Sequence, residues 1–196
     1  ELHILYVDTG AIYRTIGCYA RRKGVETADT EAVIALLPEV EIGMCYDAQG
    51  LQHMLLHGED VTEEIRLPEM SLYASAVSAI PEVRAFLLEM QRDFARKSSV
   101  IMDGRDIGTV VLPHADVKIF LKADVEVRAR RREIELQERG TPRPYKQVLE
   151  EMRQRDYNDT HRSAAPLRAA EDAVIVDTSD LDFQQSKEKL LESAER

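Results

Sequence analysis

The sequence predicts an α/β fold in which short buried strands alternate with amphipathic helices. Four apolar runs, at residues 2–7, 100–102, 117–121 and 174–176, have the length and composition of strands buried on both faces of a parallel sheet. Helical patterns lie between these runs, which indicates helices on both sides of the sheet. With 196 residues, 44% of them hydrophobic, the chain is long enough for one domain with a sizeable core.

The spacing of apolar residues predicts the main helices. One begins at Pro81, a favourable first helical residue. Its apolar face contains Val83, Phe86, Leu87, Met90 and Phe94. Further helices are predicted at residues 126–139, 145–155 and 184–194. The prolines and glycine of residues 140–144 predict a loop between two arginine-rich helices, which makes this loop a candidate mobile flap.

One segment interrupts the alternation of strands and helices. Residues 40–46 and 51–56 are strand-like, and turn-forming residues separate them at 47–50. Residues 58–60 offer another turn. This pattern predicts a small antiparallel hairpin or meander inserted into the α/β body.

The formal net charge of −10 argues against broad binding of nucleic acids or membrane surfaces, since both need a basic face. Ten arginines nevertheless lie between Arg128 and Arg168. Most are expected on solvated helix faces with carboxylate neighbours, and a subset would suit a pocket for several phosphates. No signal peptide or membrane-spanning run is seen, and Cys18 and Cys45 are expected to be core thiols, so a cytoplasmic protein is expected.

The first candidate motif is Asp-Thr-Gly-Ala-Ile-Tyr-Arg at residues 8–14, directly after the first apolar run. Ligands of open α/β sheets bind beyond the carboxyl ends of the strands. Gly10 permits a tight strand-to-helix turn, and Arg14 falls on the first turns of the next helix. The alternative is that Asp8 or Thr9 caps this helix and that Arg14 is a surface residue.

The second candidate motif follows the strand at residues 100–102. It places Asp103, Arg105 and Asp106 around Gly104 and ends at Gly108. A turn needs one glycine and one aspartate, so this whole set favours a function. Arg105 can bind a phosphate and Asp106 can accept from an exocyclic amino group. Asp103 is a candidate for a water-mediated metal contact, with capping of the following turn as the alternative.

The third candidate motif covers residues 155–162, with Ala165, Pro166 and Leu167 after it. Its mixture of acidic residues and arginines has two interpretations. It can form salt bridges along one helix, or it can contribute to a phosphate-binding site.

Together these segments resemble bacterial cytidylate kinases. The motif matches are residues 6–14, 103–110 and 155–167, and residues 57–62, 80–84 and 116–121 are also similar. The resemblance follows the family's order along nearly the whole chain, so it is far more specific than any single motif.

The resemblance implies a three-layer α/β/α P-loop kinase fold with a parallel central sheet. Residues 1–37 and 97–196 would form the core domain, and residues 38–96 would form a small antiparallel and helical insert that binds the monophosphate. Residues from about 126 to 160 would form a helical lid within the core. A monomer is expected from the family.

The resemblance also implies roles for individual residues. Arg14, Arg105 and Arg162 resemble the clamp on the acceptor's phosphate, and Thr9 keeps a hydroxyl where many relatives have serine. Ser75, Arg84 and Asp106 resemble the residues that recognise cytosine. Asp159 resembles the ribose contact, with Arg155 beside it and near the transferring group. Arg131 and Arg132, with Arg128 as a further candidate, resemble lid arginines on the donor side.

The implied reaction is ATP-dependent phosphoryl transfer to CMP or dCMP, giving CDP or dCDP, with Mg²⁺ as cofactor. The acceptor is a phosphate oxygen that is already anionic near neutral pH, so no general base is needed and no histidine is assigned as one. Catalysis would consist of positioning and of charge neutralisation by arginines and Mg²⁺. Among these residues Arg105, Arg131, Arg132 and Arg155 are the expected catalytic ones. No nucleic acid or membrane partner is expected.

The sequence departs from the family's pattern in one respect. The family carries G-x-x-x-x-G-K-[ST] on its first strand–loop–helix unit, where backbone amides bind the donor phosphates. This motif is absent here, and its expected place is immediately before Glu1. The chain as given is therefore expected to be inactive, and a complete parent protein to be active.

Three alternatives remain open from the sequence. The protein could be a kinase for another nucleoside monophosphate or small acceptor. It could be a nucleotide-binding fragment without activity, if the natural chain begins at Glu1. The third alternative is a structural or interaction domain with surface salt bridges.

Overall fold

The computed structural model describes residues 4–194, and the chain divides into two compact units. The first unit contains the residues up to Ile107 together with Arg162–Ala165. The second unit contains Gly108–His161 and the residues from Pro166 onward. Each unit contains a pair of parallel strands, and helices connect the strands along the chain, so the predicted α/β fold class is confirmed.

The elements of the first unit are, in chain order, β1 (Leu5–Asp8), α1 (Thr9–Arg22), α2 (Thr30–Leu36), β2 (Ile42–Tyr46), β3 (Gln52–Leu56), β4 (Glu59–Asp60), α3 (Met70–Ser78), α4 (Pro81–Lys97) and β5 (Val100–Asp103). The elements of the second unit are β6 (Ile119–Lys122), α5 (Val125–Glu138), α6 (Tyr145–His161), β7 (Val174–Asp177) and α7 (Phe183–Ala194). Residues 2 and 3 of the first predicted strand lie outside the described residues. Among the residues from 4 to 194, no helix is long and apolar enough to cross a membrane.

The strand pair of the first unit is formed by β1 and β5, which run parallel. Their register places Asp8 opposite Asp103, so the two strands end at the same level. Helix α1 begins directly after Asp8, and β5 leads into the glycine-containing segment at 103–108. Two of the candidate motifs therefore begin side by side.

The core of the first unit surrounds α1. Ile12 and Ile16 of this helix are buried against side chains from the hairpin, from α3 and from α4, among them Met54, Val77 and Leu87. Burying an aliphatic side chain of this size contributes about 2 kcal/mol. The core therefore fixes α1, and with it the position of Arg14.

The inserted hairpin is present as an antiparallel sheet in the order β2-β3-β4. The carboxylate of Asp47 accepts hydrogen bonds from the backbone N–H groups of Gln49 and Leu51, at 2.9 and 2.8 Å, and so stabilises the turn between β2 and β3. The predicted hairpin is confirmed, although β2 begins two residues later than the sequence indicates.

The second unit contains the parallel pair β6–β7 and a pair of packed helices, α5 and α6. Ala129, Leu136 and Val148 are buried between these two helices. Gly140 adopts a positive φ of 72° just after α5, which ends the helix as glycine commonly does. The loop predicted at 140–144 is therefore confirmed.

Several details of the sequence prediction are wrong. Helix α6 continues to His161, six residues beyond the predicted end, because apolar spacing marks only the part of a helix that packs on a core. Phe86 on α4 is 39% exposed, and Cys45 is exposed because alternate residues of a strand point to opposite faces. Cys18 is buried as predicted.

The parallel strands are not buried on both faces. Tyr6 and Ile101 lie opposite each other in the β1–β5 register and are 46% and 45% exposed. In the second unit Leu121 and Ile175 are also exposed. The apolar runs indicated the strands correctly, but in β1 and β5 only alternate side chains, such as those of Val7 and Met102, belong to the core of the first unit.

Candidate functional site

The first part of the site is built around the carboxylate of Asp8. One oxygen accepts a hydrogen bond from the backbone N–H of Ala11 at 2.9 Å and so caps α1. The other oxygen pairs with the guanidinium of Arg14 at 2.6 Å. The side chain of Asp8 thus caps α1 and also holds the guanidinium of Arg14.

Gly10 lies in the first turn of α1, which begins directly after β1, so the chain passes from strand to helix as tightly as the sequence indicated. A Cβ atom at this position would lie 3.0 Å from Asp8 Oδ1 and 3.2 Å from Arg14 Nη1. The glycine therefore leaves room for the ion pair between Asp8 and Arg14.

A second close approach joins the ends of β1 and β5. The hydroxyl of Thr9 donates to the backbone carbonyl of Asp103 at 2.6 Å. A Cβ atom at Gly104 would lie only 2.5 Å from Thr9 Oγ1 and 2.8 Å from Ile107 Cδ1. The glycine is thus required where the two candidate motifs meet, and Thr9 is held by this bond.

The carboxyl group of Asp103 has a perturbed titration. Partial removal of water and the nearby carboxylate of Asp8 raise its pKa, and a hydrogen bond with Tyr6 and the charge of Arg105 partly offset this. Residues 4–194 contain no group of three His, Cys, Asp or Glu side chains arranged to hold a metal ion. A carboxylate oxygen suits Mg²⁺, which usually keeps several waters and needs only one or two protein ligands, so Asp103 fits the water-mediated contact predicted for it.

Arg84 and Asp106 form a buried ion pair. Arg84 is 9% exposed and Asp106 is 5% exposed. Arg84 also donates to the carbonyl of Ser78 at 3.1 Å, and its guanidinium lies 5.4 Å from the centre of the Tyr13 ring. The structure therefore brings together two of the three residues predicted to recognise a base.

Ser78 joins several of these residues and was missed in the sequence. Its carbonyl accepts from Arg84, and its hydroxyl donates to the carbonyl of Ser75 at 3.0 Å. The same hydroxyl lies 3.3 Å from Nη1 of Arg162, which donates to it, and Nε of Arg162 donates to the carbonyl of Ala165 at 2.8 Å. The spacing of Ser75 and Ser78 by three residues was the available signal, and it is not distinctive by itself.

The hydroxyl oxygen of Ser75 and Nε of Arg14 are buried and have no hydrogen-bond partner among the described residues. Buried polar atoms are nearly always paired in folded proteins, so unpaired ones at a candidate site indicate where a polar ligand would bind.

Arg105, the third predicted phosphate-binding arginine, lies exposed in the segment after β5.

In the second unit the predicted donor-side arginines contact other parts of that unit. Arg128 donates to the carbonyl of Ala123 at 2.9 Å and to Asp156 Oδ1 at 3.1 Å. Arg131 donates to the carbonyls of Thr178 and Leu181, at 2.6 and 2.8 Å. Arg132 forms an ion pair one helical turn along α5. The contacts of Arg128 and Arg131 connect α5 to α6 and to the segment after β7.

The third motif lies on α6. Nε of Arg155 is 3.8 Å from Oδ2 of Asp159, one turn later, so the salt bridge predicted along this helix is present. Asp159 is only 3% exposed, and its carbonyl accepts from the N–H of Leu167 at 2.7 Å. Aspartate is rarely buried to this extent unless it is paired, and Arg155 is a partner of Asp159 on the same helix.

Comparisons with known proteins identify the family of this chain. The sequence model of the cytidylate kinase family matches residues 1–196. A protein of Caldicellulosiruptor saccharolyticus named cytidylate kinase is 47% identical over 98% of this chain and 84% of its own length. Cytidylate kinases of Pelotomaculum thermopropionicum and Flavobacterium johnsoniae are 47% and 41% identical, over 94% and 98% of this chain and 82% and 85% of their own lengths.

The matched length includes all three candidate motifs, and the parallel strand pairs with their connecting helices agree with the α/β fold of P-loop kinases. The chain belongs to the cytidylate kinase family.

Proposed function

We propose that the protein transfers the γ-phosphoryl group of ATP to CMP or dCMP, giving CDP or dCDP and ADP. The observation that carries the proposal is the buried pair of Arg84 and Asp106. The names of the relatives support it, since each of them is called a cytidylate kinase.

The pair suits the hydrogen-bonding edge of cytosine. Cytosine presents an amino donor beside two acceptors, so a carboxylate and a guanidinium satisfy both halves. A carboxylate has about four acceptor positions, and Asp106 can therefore accept from the amino group while it holds Arg84. Uracil has an oxygen in place of the amino group, which Asp106 would repel, and a site left with unpaired polar groups discriminates strongly.

Three arginines would bind the acceptor's phosphate. Arg14 is oriented by Asp8, Arg162 reaches Ser78, and Arg105 follows β5 directly. The hydroxyl of Thr9 lies at the same strand end. The attacking atom is a phosphate oxygen that is already anionic, so these residues act by positioning and charge neutralisation and not by removing a proton.

The remaining assignments belong to this proposal. Arg128, Arg131 and Arg132 bind the phosphates of ATP, Arg155 neutralises charge on the transferred group, and Asp159 contacts the ribose. Mg²⁺, when bound, neutralises charge on the donor phosphates, and Asp103 holds one of its waters.

The proposal also assigns the domains of the chain. Residues 38–96 form the monophosphate-binding insert, residues 1–37 and 97–196 form the core domain, and residues from about 126 to 160 form the lid. We propose a cytoplasmic monomer.

Calorimetric titration of this chain with CMP, dCMP, UMP and AMP tests the base preference. We expect CMP and dCMP to bind at least about tenfold more tightly than UMP and AMP, because the wrong bases leave buried polar groups unpaired. Formation of ADP from ATP in the presence of CMP tests the transfer itself, and it is measured with a protein that also carries a P-loop. Preferential binding of AMP would assign the protein to a different acceptor, and binding of none of the four would contradict the proposal.

A further inference from the structure

We propose that Gln52 is a positioning residue for the phosphate clamp and acts on Arg14 through Asp8; this inference rests on the proposed function. Gln52 is the first residue of β3 in the inserted hairpin, 44 residues away from Asp8 in the sequence. It is 8% exposed, which is unusual for glutamine.

The side-chain amide of Gln52 binds both backbone groups of Asp8. Its Oε1 accepts from the N–H of Asp8 at 2.8 Å, and its Nε2 donates to the carbonyl of Asp8 at 3.3 Å. A neighbouring strand would offer the same pair of a carbonyl and an N–H group. At Asp8, where β1 ends, the side chain of Gln52 therefore makes the two hydrogen bonds that a neighbouring strand would make.

A second side chain of the hairpin binds a backbone group on the same edge of β1. Tyr46 lies directly opposite Gln52 in the β2–β3 register, and its hydroxyl donates to the carbonyl of Tyr6 at 2.8 Å. The other edge of β1 pairs with β5. Tyr46 and Gln52 thus reach β1 side by side, but only Gln52 contacts Asp8.

Asp8 is the residue through which Gln52 would influence ligand binding. The backbone of Asp8 sets the direction of its carboxylate, which caps α1 and pairs with Arg14. An apolar side chain of similar size would fill the same space, but it would leave the N–H of Asp8 without a partner and its carbonyl without the bond from Gln52. Gln52 lies outside the β1–β5 pair. It therefore holds the backbone of Asp8, the residue whose carboxylate pairs with Arg14.

The test compares two variants that each remove a contact between the hairpin and β1. Gln52→Leu removes both bonds to Asp8, and Tyr46→Phe removes the bond to Tyr6 and leaves Asp8 untouched. We expect Gln52→Leu to weaken CMP binding about fivefold in calorimetry, as the loss of such hydrogen bonds predicts. We expect Tyr46→Phe to bind CMP like the unaltered protein, and thermal unfolding of both variants checks that they are folded.

A double-mutant cycle with Arg14→Ala separates positioning from a purely structural role. If Gln52 acts through Arg14, then Gln52→Leu should cause no further loss of CMP affinity in the Arg14→Ala background. The weaker binding there is measured from the shifts of amide NMR signals at high CMP concentration.

Each other outcome has a defined meaning. An equal loss of affinity in both backgrounds, or an equal loss in Tyr46→Phe, would show that Gln52 only fastens the hairpin. Unchanged affinity in Gln52→Leu overturns this inference and leaves the proposed function intact. If the unaltered protein itself binds no CMP, the proposed function fails and this inference fails with it.

Discussion

The two units of the molecule contain ion pairs of arginine that differ in burial and in sequence separation. In the first unit Arg84 and Asp106 are separated by 22 residues in the sequence, and both are buried. In the second unit α5 carries short-range pairs, in which Arg130 contacts Glu133 and Arg132 contacts Glu135 one turn along the same helix. The first arrangement requires the tertiary fold, whereas the second requires only a helix.

This difference affects both stability and ligand binding. Exposed pairs one helical turn apart contribute less than about 1 kcal/mol, because water screens them and both side chains lose freedom. Removing one partner of a buried pair costs about 3–5 kcal/mol, because the other charge is left buried and uncompensated. The guanidinium of Arg84 is therefore oriented before a ligand arrives, whereas an incoming phosphate can replace the exposed partner of Arg132.

The largest expected effect is that of Asp106→Ala. It should lower the free energy of unfolding by about 3–5 kcal/mol, since Arg84 stays buried without its carboxylate. The measurement is urea unfolding at neutral pH. The matched control is Glu135→Ala, which removes the exposed partner of Arg132 and Arg139 and should cost less than about 1 kcal/mol.

The same variant tests base recognition. Where Asp106→Ala remains folded, its preference for CMP over UMP should fall towards unity. An unchanged ratio of the two affinities would show that Asp106 supports the fold and does not recognise the base.

The next effect is that of Arg14→Ala on phosphate binding. We expect the affinities for CMP, dCMP and UMP to fall alike by roughly 10- to 100-fold, because a charge-assisted contact to the phosphate is lost. Titration calorimetry measures these affinities. Arg96→Ala is the control, since Arg96 forms exposed pairs with Glu89 and Asp93, and it should change none of them. A loss confined to cytosine nucleotides would assign Arg14 to the base instead.

A smaller effect is expected from Gly104→Ala. The added Cβ would lie 2.5 Å from Thr9 Oγ1 and would force the ends of β1 and β5 apart, at a cost of about 1–3 kcal/mol. In Gly108→Ala the nearest atom is Lys118 Cδ at 3.3 Å, so this control should cost less than Gly104→Ala. Thermal unfolding of both variants measures the difference, and equal midpoints would contradict the close approach at Gly104.

The sequence predicted the features that depend on local pattern. The hairpin turn at Asp47, the loop at Gly140 and the helix that begins at Pro81 were all found, because turn chemistry and apolar spacing act over a few residues. The motif at residues 8–14 was also placed correctly, and its capping by Asp8 is confirmed.

Features that depend on contacts between distant segments were not predicted. Nothing near Gln52 or Ser78 in the sequence indicates that Gln52 reaches Asp8 or that Ser78 joins Arg84 to Arg162. Gly104 was recognised as part of a motif, but its physical reason is the hydroxyl of Thr9, which lies 95 residues earlier. The approach of Gly104 to Thr9 becomes visible only when the register of β1 and β5 is known.

The smallest effect concerns an exposed ion pair within the first unit. Nδ1 of His53 lies 2.8 Å from Asp60, and Nε2 lies 3.6 Å from Asp47. The hydrogen bond with Asp60 is the main cause that raises the pKa of His53. Because the folded pKa lies above the unfolded one, the stability this contact contributes is fully present below the ordinary value of about 6.5 and is lost as pH rises through the raised value.

Burial, and not membership of a unit, should decide the size of this pH effect. The thermal midpoint should therefore fall only slightly as the pH rises above about 6.5, and added salt should reduce even that change. His53→Gln should show no such fall, and thermal unfolding of both proteins across this range at low and high salt is the measurement. A large fall of the thermal midpoint in the unaltered protein that persists in added salt would contradict this expectation. It would show that the hairpin holds His53 as firmly as the core holds Arg84, so that the contrast between exposed and buried pairs would not extend to the insert.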